Sequence, residues 1–284
     1  MPRPVALVTD STALLAPEVA AARGVVVVPL QVVVGARSYA EGVDPEASPE
    51  TVAAALKEFT PVSTSRPTPA SFVEAYESAV AAGAEEIVSV HLSGEMSGTL
   101  ESAQLAAREC RVPVHIVDTR QIGMAVGFAV LSAAEALEAG GRGPEAAQAA
   151  RGRAAASTSL FYVDTLEYLR RGGRIGAAAA LLGSALAVKP LLRIDEGRIG
   201  TLEKVRTAAR ALGRLEELAV AAAGDGPVDV AVAHLASAER AEALAAQLRG
   251  RLPALVGEVS VGEVGAVLGA HVGPGMVAVV VAPR

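Results

Sequence analysis

Hydroxyl side chains beside glycine, placed where a strand gives way to a helix, can donate hydrogen bonds to an anionic oxygen without adding a full positive charge. Residues 91–99, His91-Leu-Ser93-Gly94-Glu-Met-Ser97-Gly98-Thr99, have that composition. They follow the β-rich run Glu86–Val90 and precede a helical pattern over Leu100–Arg108, so the loop suits a carboxylate or a phosphate. A plain structural turn fits the same residues equally well. The loop is neither a Walker A loop, which needs Gly-Lys-Ser/Thr, nor a dinucleotide fingerprint, nor the Gly-x-Ser-x-Gly elbow of hydrolases. A second hydroxyl run, Ser63-Thr64-Ser65, precedes the helix start Thr68-Pro69 and exceeds what capping that helix needs. Thr9-Asp10-Ser11-Thr12 follows the first strand, where α/β sheets gather ligand-contacting groups, although capping is the simpler use of those residues. In Tyr168-Leu-Arg-Arg-Gly-Gly-Arg174-Ile-Gly176, three arginines beside paired glycines can close over a ligand head group or end a helix. The turn Gly269-Ala-His271-Val-Gly273-Pro-Gly275 holds a lone histidine, for which a satisfied structural role is the commoner outcome.

The elements that must position these motifs read as α/β. Strands at Val5–Thr9, Glu86–Val90 and Val114–Val117 alternate with helices at Pro17–Arg23, from Ser48-Pro49 to about Phe59, Pro69–Ala82, Leu100–Arg108, Gln121–Ala139 and Pro144–Arg153. Val25–Val34 reads as a buried strand or strand pair. Such alternation predicts βαβ units and a mainly parallel sheet. After about Ala156 the rhythm changes to a strand at Leu160–Val163, helices at Leu166–Arg171 and Ala177–Ala187, and a hairpin turning at Glu196-Gly197. A strand at Val228–Ala233, a helix at Ala238–Arg249 and strands near Leu255–Val261 and Met276–Ala282 complete it. The reading is two α/β domains, 1–155 and 156–284.

The 284 residues carry 25 Lys+Arg against 31 Asp+Glu, a net charge of −6 without the basic footprint of a nucleic-acid binder. Aromatic residues make up 3% and Trp is absent, which argues against a base- or sugar-stacking platform. One cysteine and four scattered histidines offer no metal-ligand spacing, so no metal site is expected. No apolar run is long enough to span a bilayer, and none of signal length precedes Asp10. A cytoplasmic protein without stable membrane insertion is expected.

Taken in order, these segments resemble the DegV family of bacterial fatty-acid-binding proteins. The matching pieces are Thr9–Thr12, Ser63-Thr-Ser65 with Pro67, His91-Leu-Ser93 with Ser97-Gly-Thr99, Val117-Asp-Thr119, Tyr168–Ile175, Lys189-Pro-Leu-Leu192 and His271-x-Gly-Pro-Gly275. The resemblance implies one long-chain fatty acid in the cleft between the two domains, the first carrying carboxylate-binding loops and the second covering the acyl chain. It places the carboxylate on Thr64 and Ser97. Ser65, Gly98, Arg174, Arg206 and His271 are implied at the head group or at a kinase face. It further implies no cofactor beyond the bound acid, no catalytic residue on this chain, and a separate kinase resembling dihydroxyacetone kinases. That partner makes an acyl phosphate for phospholipid synthesis. The rival reading is an α/β enzyme acting on a small phosphorylated or carboxylated metabolite. Leu14, Arg66, Gly94, Met96 and Leu100 depart from residues usual in the family. Both carboxylate hydroxyls are retained, so these departures bear on acyl-chain preference.

Overall fold

The computed structural model describes residues 4–181 and 189–284. The chain begins β1 (Val5–Asp10), α1 (Pro17–Arg23), β2 (Val25–Val28), β3 (Gln31–Val34), β4 (Arg37–Ala40), α2 (Pro49–Lys57) and β5 (Val62–Ser65). It continues with α3 (Pro69–Ala81), β6 (Glu86–His91), α4 (Thr99–Ala107), β7 (Val114–Asp118), α5 (Met124–Glu138) and α6 (Gly143–Ala156). The remainder holds β8 (Thr158–Tyr162), α7 (Glu167–Arg171), β9 (Lys189–Asp195), β10 (Arg198–Val205) and α8 (Ala208–Ala223). It ends with β11 (Val228–His234), α9 (Ala238–Arg251), β12 (Ser260–Glu263), α10 (Ala266–Val272) and β13 (Val277–Pro283). The expected helix Ala177–Ala187 lies partly outside the described residues; Gly176–Leu181 forms a 3-10 helix.

Two compact units result, residues up to Gln31 with Ser65–Ala155, and Val32–Thr64 with Ala156–Arg284. The division into 1–155 and 156–284 therefore takes one correction: residues 32–64 group with the second unit. The cause lies in the Val25–Val34 run. Pro29 has no N–H to give a ladder and interrupts it. Before the break, β2 pairs with β1; after it, β3 joins a three-stranded sheet of order β4-β3-β5.

In the first unit the sheet order is β2-β1-β6-β7, every pair parallel. Strand alternation sends Val5, Leu7, Val88 and Val90 toward α5 and α6, which answer with Val126, Ala129, Ala146 and Ala150. The opposite face carries Val8 and Ile87 against Phe72 and Tyr76 of α3 and Ala103 and Ala106 of α4. Ligand-contacting side chains on such a sheet are expected beyond the carboxyl ends of β1, β6 and β7.

The second unit holds a six-stranded sheet of order β10-β9-β8-β13-β11-β12. Among the described strands of this sheet, only β11 and β12 pair in parallel. Its core joins Tyr162, Leu191, Val230 and Val279 to Leu215 and Ala219 of α8 and Leu244 and Leu248 of α9. The hairpin turns at Glu196 (φ 48°) and Gly197 (φ 79°), the paired left-handed conformation of a two-residue turn.

Candidate functional site

The motif residues fall into two groups, one on each unit. Ser63-Thr64-Ser65 is not a loop but most of β5, at one edge of its sheet, with Ser63 and Thr64 belonging to the second unit. Alternation then separates the hydroxyls. Ser63 and Ser65 are exposed, whereas Thr64 turns inward and its Oγ1 lies 2.8 Å from His271 Nε2. His271 sits in the last turn of α10, which packs on α2 and α7. Buried Glu41 steadies the start of that helix by accepting from the Val267 N–H at 2.8 Å.

The Tyr168–Gly176 and Gly269–Gly275 motifs meet around this histidine. The His271 Nδ1 side packs on the Cα of Gly172, where any Cβ would overlap the ring. Tyr168 packs its ring on Gly273, and Asp164 sets its carboxylate on Gly275. Arg174 is exposed and donates to the Gly172 carbonyl at 2.7 Å. Arg206 is exposed in the bend between β10 and α8 and is not among the partners of Thr64 or His271.

Burial, with the Arg174 charge second, pushes the His271 pKa down to about 4 from 6.5. The ring is therefore neutral at pH 7 and carries one proton. Among the described residues its buried Nδ1 has no hydrogen-bond partner. An orphaned buried donor is rarer than an under-satisfied acceptor, so we assign the proton to Nε2, donated to Thr64 Oγ1. The Thr64 hydroxyl then accepts from histidine and keeps its own proton for another acceptor.

Because the folded value lies below the unfolded one, the unfolded chain binds more protons between these two pH values. Stability linked to His271 is complete above about pH 6.5 and declines as pH falls to 4 and below, by about 3 kcal/mol in all. Thermal unfolding from pH 7.5 to 4 should show the unchanged chain losing more stability than His271→Gln. Parallel pH profiles would contradict the assignment.

In the first unit, β6 delivers the chain into the Ser97 loop. Buried Ser93 is its knuckle: the carbonyl accepts from the N–H groups of Met96 (3.1 Å) and Ser97 (3.2 Å), and Oγ accepts from Glu95 (3.2 Å). From the end of β7, Asp118 Oδ1 accepts from the Gly94 N–H at 3.3 Å. Half-buried Ser97 accepts from the Thr99 N–H (3.3 Å) and lies 2.9 Å from Thr99 Oγ1; with Thr99 the donor in that pair, the Ser97 proton stays available. Gly98 caps α4, and Arg66 lies across it, donating to its carbonyl (3.3 Å) and to Glu101 Oε2 (2.6 Å). Ser65 spends its hydroxyl on the Arg66 carbonyl at 3.4 Å.

The Thr9–Thr12 side chains are taken up by hydrogen bonds within the first unit. Asp10 accepts from Thr12, Ser11 Oγ accepts from the Leu30 N–H at 3.1 Å, and Thr9 Oγ1 donates to the Val90 carbonyl at 2.7 Å. Sequence reasoning gave His91 no role, yet its ring bridges Asp10 and Ser89. The signal was its parity with Ser89 on one strand. Asp10, His91 and Ser89 have the connectivity of a hydrolase triad, but all three are 0% exposed, so no substrate reaches Ser89. Among the described residues no group of three or more His, Cys, Asp or Glu could hold a metal ion. None of the described helices is long and apolar enough to cross a membrane.

The fold and these residues define a class: an α/β chain of two units whose motif residues present neutral hydroxyl donors. The chain belongs to the DegV family. The family model, described as "Uncharacterised protein, DegV family", matches residues 4–284. A DegV domain-containing protein of Streptomyces coelicolor is 56% identical over 284 residues, covering 100% of both chains. The structure of a fatty-acid-binding DegV family protein from Thermus thermophilus superposes with a TM-score of 0.91 at 34% identity, over 99% of each chain. That of DegV, a fatty acid binding protein from Bacillus subtilis, gives 0.90 at 31% identity, again over 99% of each.

Proposed function

We propose that this chain binds one long-chain fatty acid, palmitate- or oleate-like, whose carboxylate accepts hydrogen bonds from Thr64 and Ser97. The observation that carries this reading is the 2.8 Å contact between Thr64 Oγ1 and His271 Nε2, on a ring that burial keeps neutral; with the ring proton assigned to Nε2, the threonine keeps its own for an anion. The described fatty-acid binding of the Thermus and Bacillus relatives supports it. Burying about fourteen methylenes at ~0.8 kcal/mol each offers at most ~11 kcal/mol before association costs. Few polar contacts then suffice, provided the carboxylate does not go bare.

The chain acts as a cytoplasmic carrier that presents this carboxylate to a separate dihydroxyacetone-kinase-like fatty acid kinase, the acyl phosphate serving phospholipid synthesis. Neutral donors suit the task, because an arginine ion pair would hold the oxygens more strongly and make a poorer phosphoryl acceptor. Arg174 and Arg206 are exposed; in this reading their charge serves the kinase face, and Ser65 and Gly98 lie beside the head group.

Organic extraction of the purified chain with mass spectrometry tests this. A stoichiometric C16–C18 acid, converted to acyl phosphate when the kinase and ATP are added, is the expected result. A lipid-free chain that turns over a sugar phosphate unaided would favour the enzyme reading.

A further inference from the structure

We propose that Asp10 and His91 form a positioning pair for the Ser97 hydroxyl, an inference that rests on the carboxylate reading above. Asp10 ends β1 with its carboxylate wholly buried. One oxygen does the work of a cap, accepting from the Thr12 N–H (3.1 Å) and Thr12 Oγ1 (2.5 Å). Serine or asparagine would cap as well without burying a charge. The second oxygen is therefore the informative one. It accepts from His91 Nδ1 (2.9 Å) and from the Leu92 N–H (3.2 Å), the residue immediately before the Ser93 knuckle.

With one proton on the His91 ring, a single proton order satisfies every group along this chain. Both Asp10 oxygens already accept, Oδ1 from Thr12 and Oδ2 from the Leu92 N–H, so Nδ1 is taken as the donor to Oδ2. His91 Nε2 lies 2.7 Å from Ser89 Oγ, which lies 2.8 Å from the Tyr76 hydroxyl. Burial raises the Tyr76 pKa, so the phenol keeps its proton. Tyr76 then donates to Ser89, Ser89 to Nε2, and Nδ1 to Asp10, with every hydrogen spent. Phe72 meets the imidazole edge-on at 5.0 Å between ring centres and closes that side. The His91 carbonyl meanwhile accepts from the Thr119 N–H (3.1 Å) and Thr119 Oγ1 (2.7 Å). The residue that launches the loop is thus held by β1 through its ring and by the end of β7 through its backbone. From Asp10 the connection runs through Leu92 and Ser93 to the Ser97 N–H, which holds the backbone that carries the serine hydroxyl.

Carboxyl-13C oleate bound to the full chain reads this directly. Asp10→Asn and His91→Gln should each shift the carboxyl resonance and weaken binding about tenfold. Tyr76→Phe, which removes only the far end of the relay, should lower thermal stability while leaving the resonance and affinity unchanged. Ser97→Ala, shifting the resonance, is the positive control. If Asp10→Asn does not fold, His91→Gln carries the test alone. Wild-type resonance and affinity in the folded variants would overturn the proposal, as would an equal shift from Tyr76→Phe. Should Ser97→Ala move the signal while Asp10→Asn and His91→Gln do not, this positioning role fails and the carboxylate reading stands. Should the unchanged chain bind no oleate, both fail together.

Discussion

Gly273→Ala is expected to destabilise the second unit by about 2–4 kcal/mol, combining backbone strain with overpacking. Gly273 has φ 74° and ψ 167°, a region that residues with a Cβ avoid. A Cβ there would also overlap the body of the Tyr168 ring, which cannot swing aside as the tip of a flexible chain could. Because His271 lies two residues earlier, the same strain reaches the Thr64 contact. Urea unfolding followed by circular dichroism checks this. Gly250→Ala is the control: it lies within α9 with nothing inside 4 Å of a Cβ, and should be neutral or stabilising by about 0.5–1 kcal/mol. An unchanged midpoint for Gly273→Ala would mean the turn does not hold Tyr168 as described.

What could be read from the sequence was local. Ser48 caps α2 through the Thr51 N–H, and Pro17 opens α1, because caps and prolines act within one turn. Glu196-Gly197 marked its hairpin for the same reason. Sequence reasoning passed over α8, although Thr207 caps it and Ala211, Leu215 and Ala219 recur at helical spacing. The errors came where distant segments decide. Nothing within Val25–Val34 tells which sheet each half joins; Pro29 marks only the break. The hydroxyl run 63–65 has the composition of a loop, and only its pairing with β3 makes it a strand whose parity selects Thr64. The Thr64–His271 contact joins positions 207 apart, and no periodicity announces it. Family resemblance reached those residues because ordered motifs carry long-range information that local rules lack. It attached no role to His91, whose ring meets Asp10 of β1, Ser89 of its own strand and Phe72 of α3.

Removing either candidate hydroxyl should have the largest effect on binding. Thr64→Val keeps the shape of the side chain but leaves the His271 Nε2–H without its acceptor and takes the donated proton from the ligand. Ser97→Ala removes the donor at the head of α4 while Thr99 stays in place. A hydrogen bond to a charged group is worth about 1.5–3 kcal/mol, so each change should weaken carboxylate binding roughly 10- to 100-fold. The acyl chain contributes equally to an acid and to its alcohol, which isolates the head group. Parallel calorimetric titrations of oleate and oleyl alcohol into the unchanged chain, Thr64→Val and Ser97→Ala therefore put the central claim to the test. The unchanged chain should prefer oleate, and each variant should lose that preference while binding the alcohol as before. Oleate bound equally by all three proteins, or by none, would contradict a carboxylate held by these two hydroxyls.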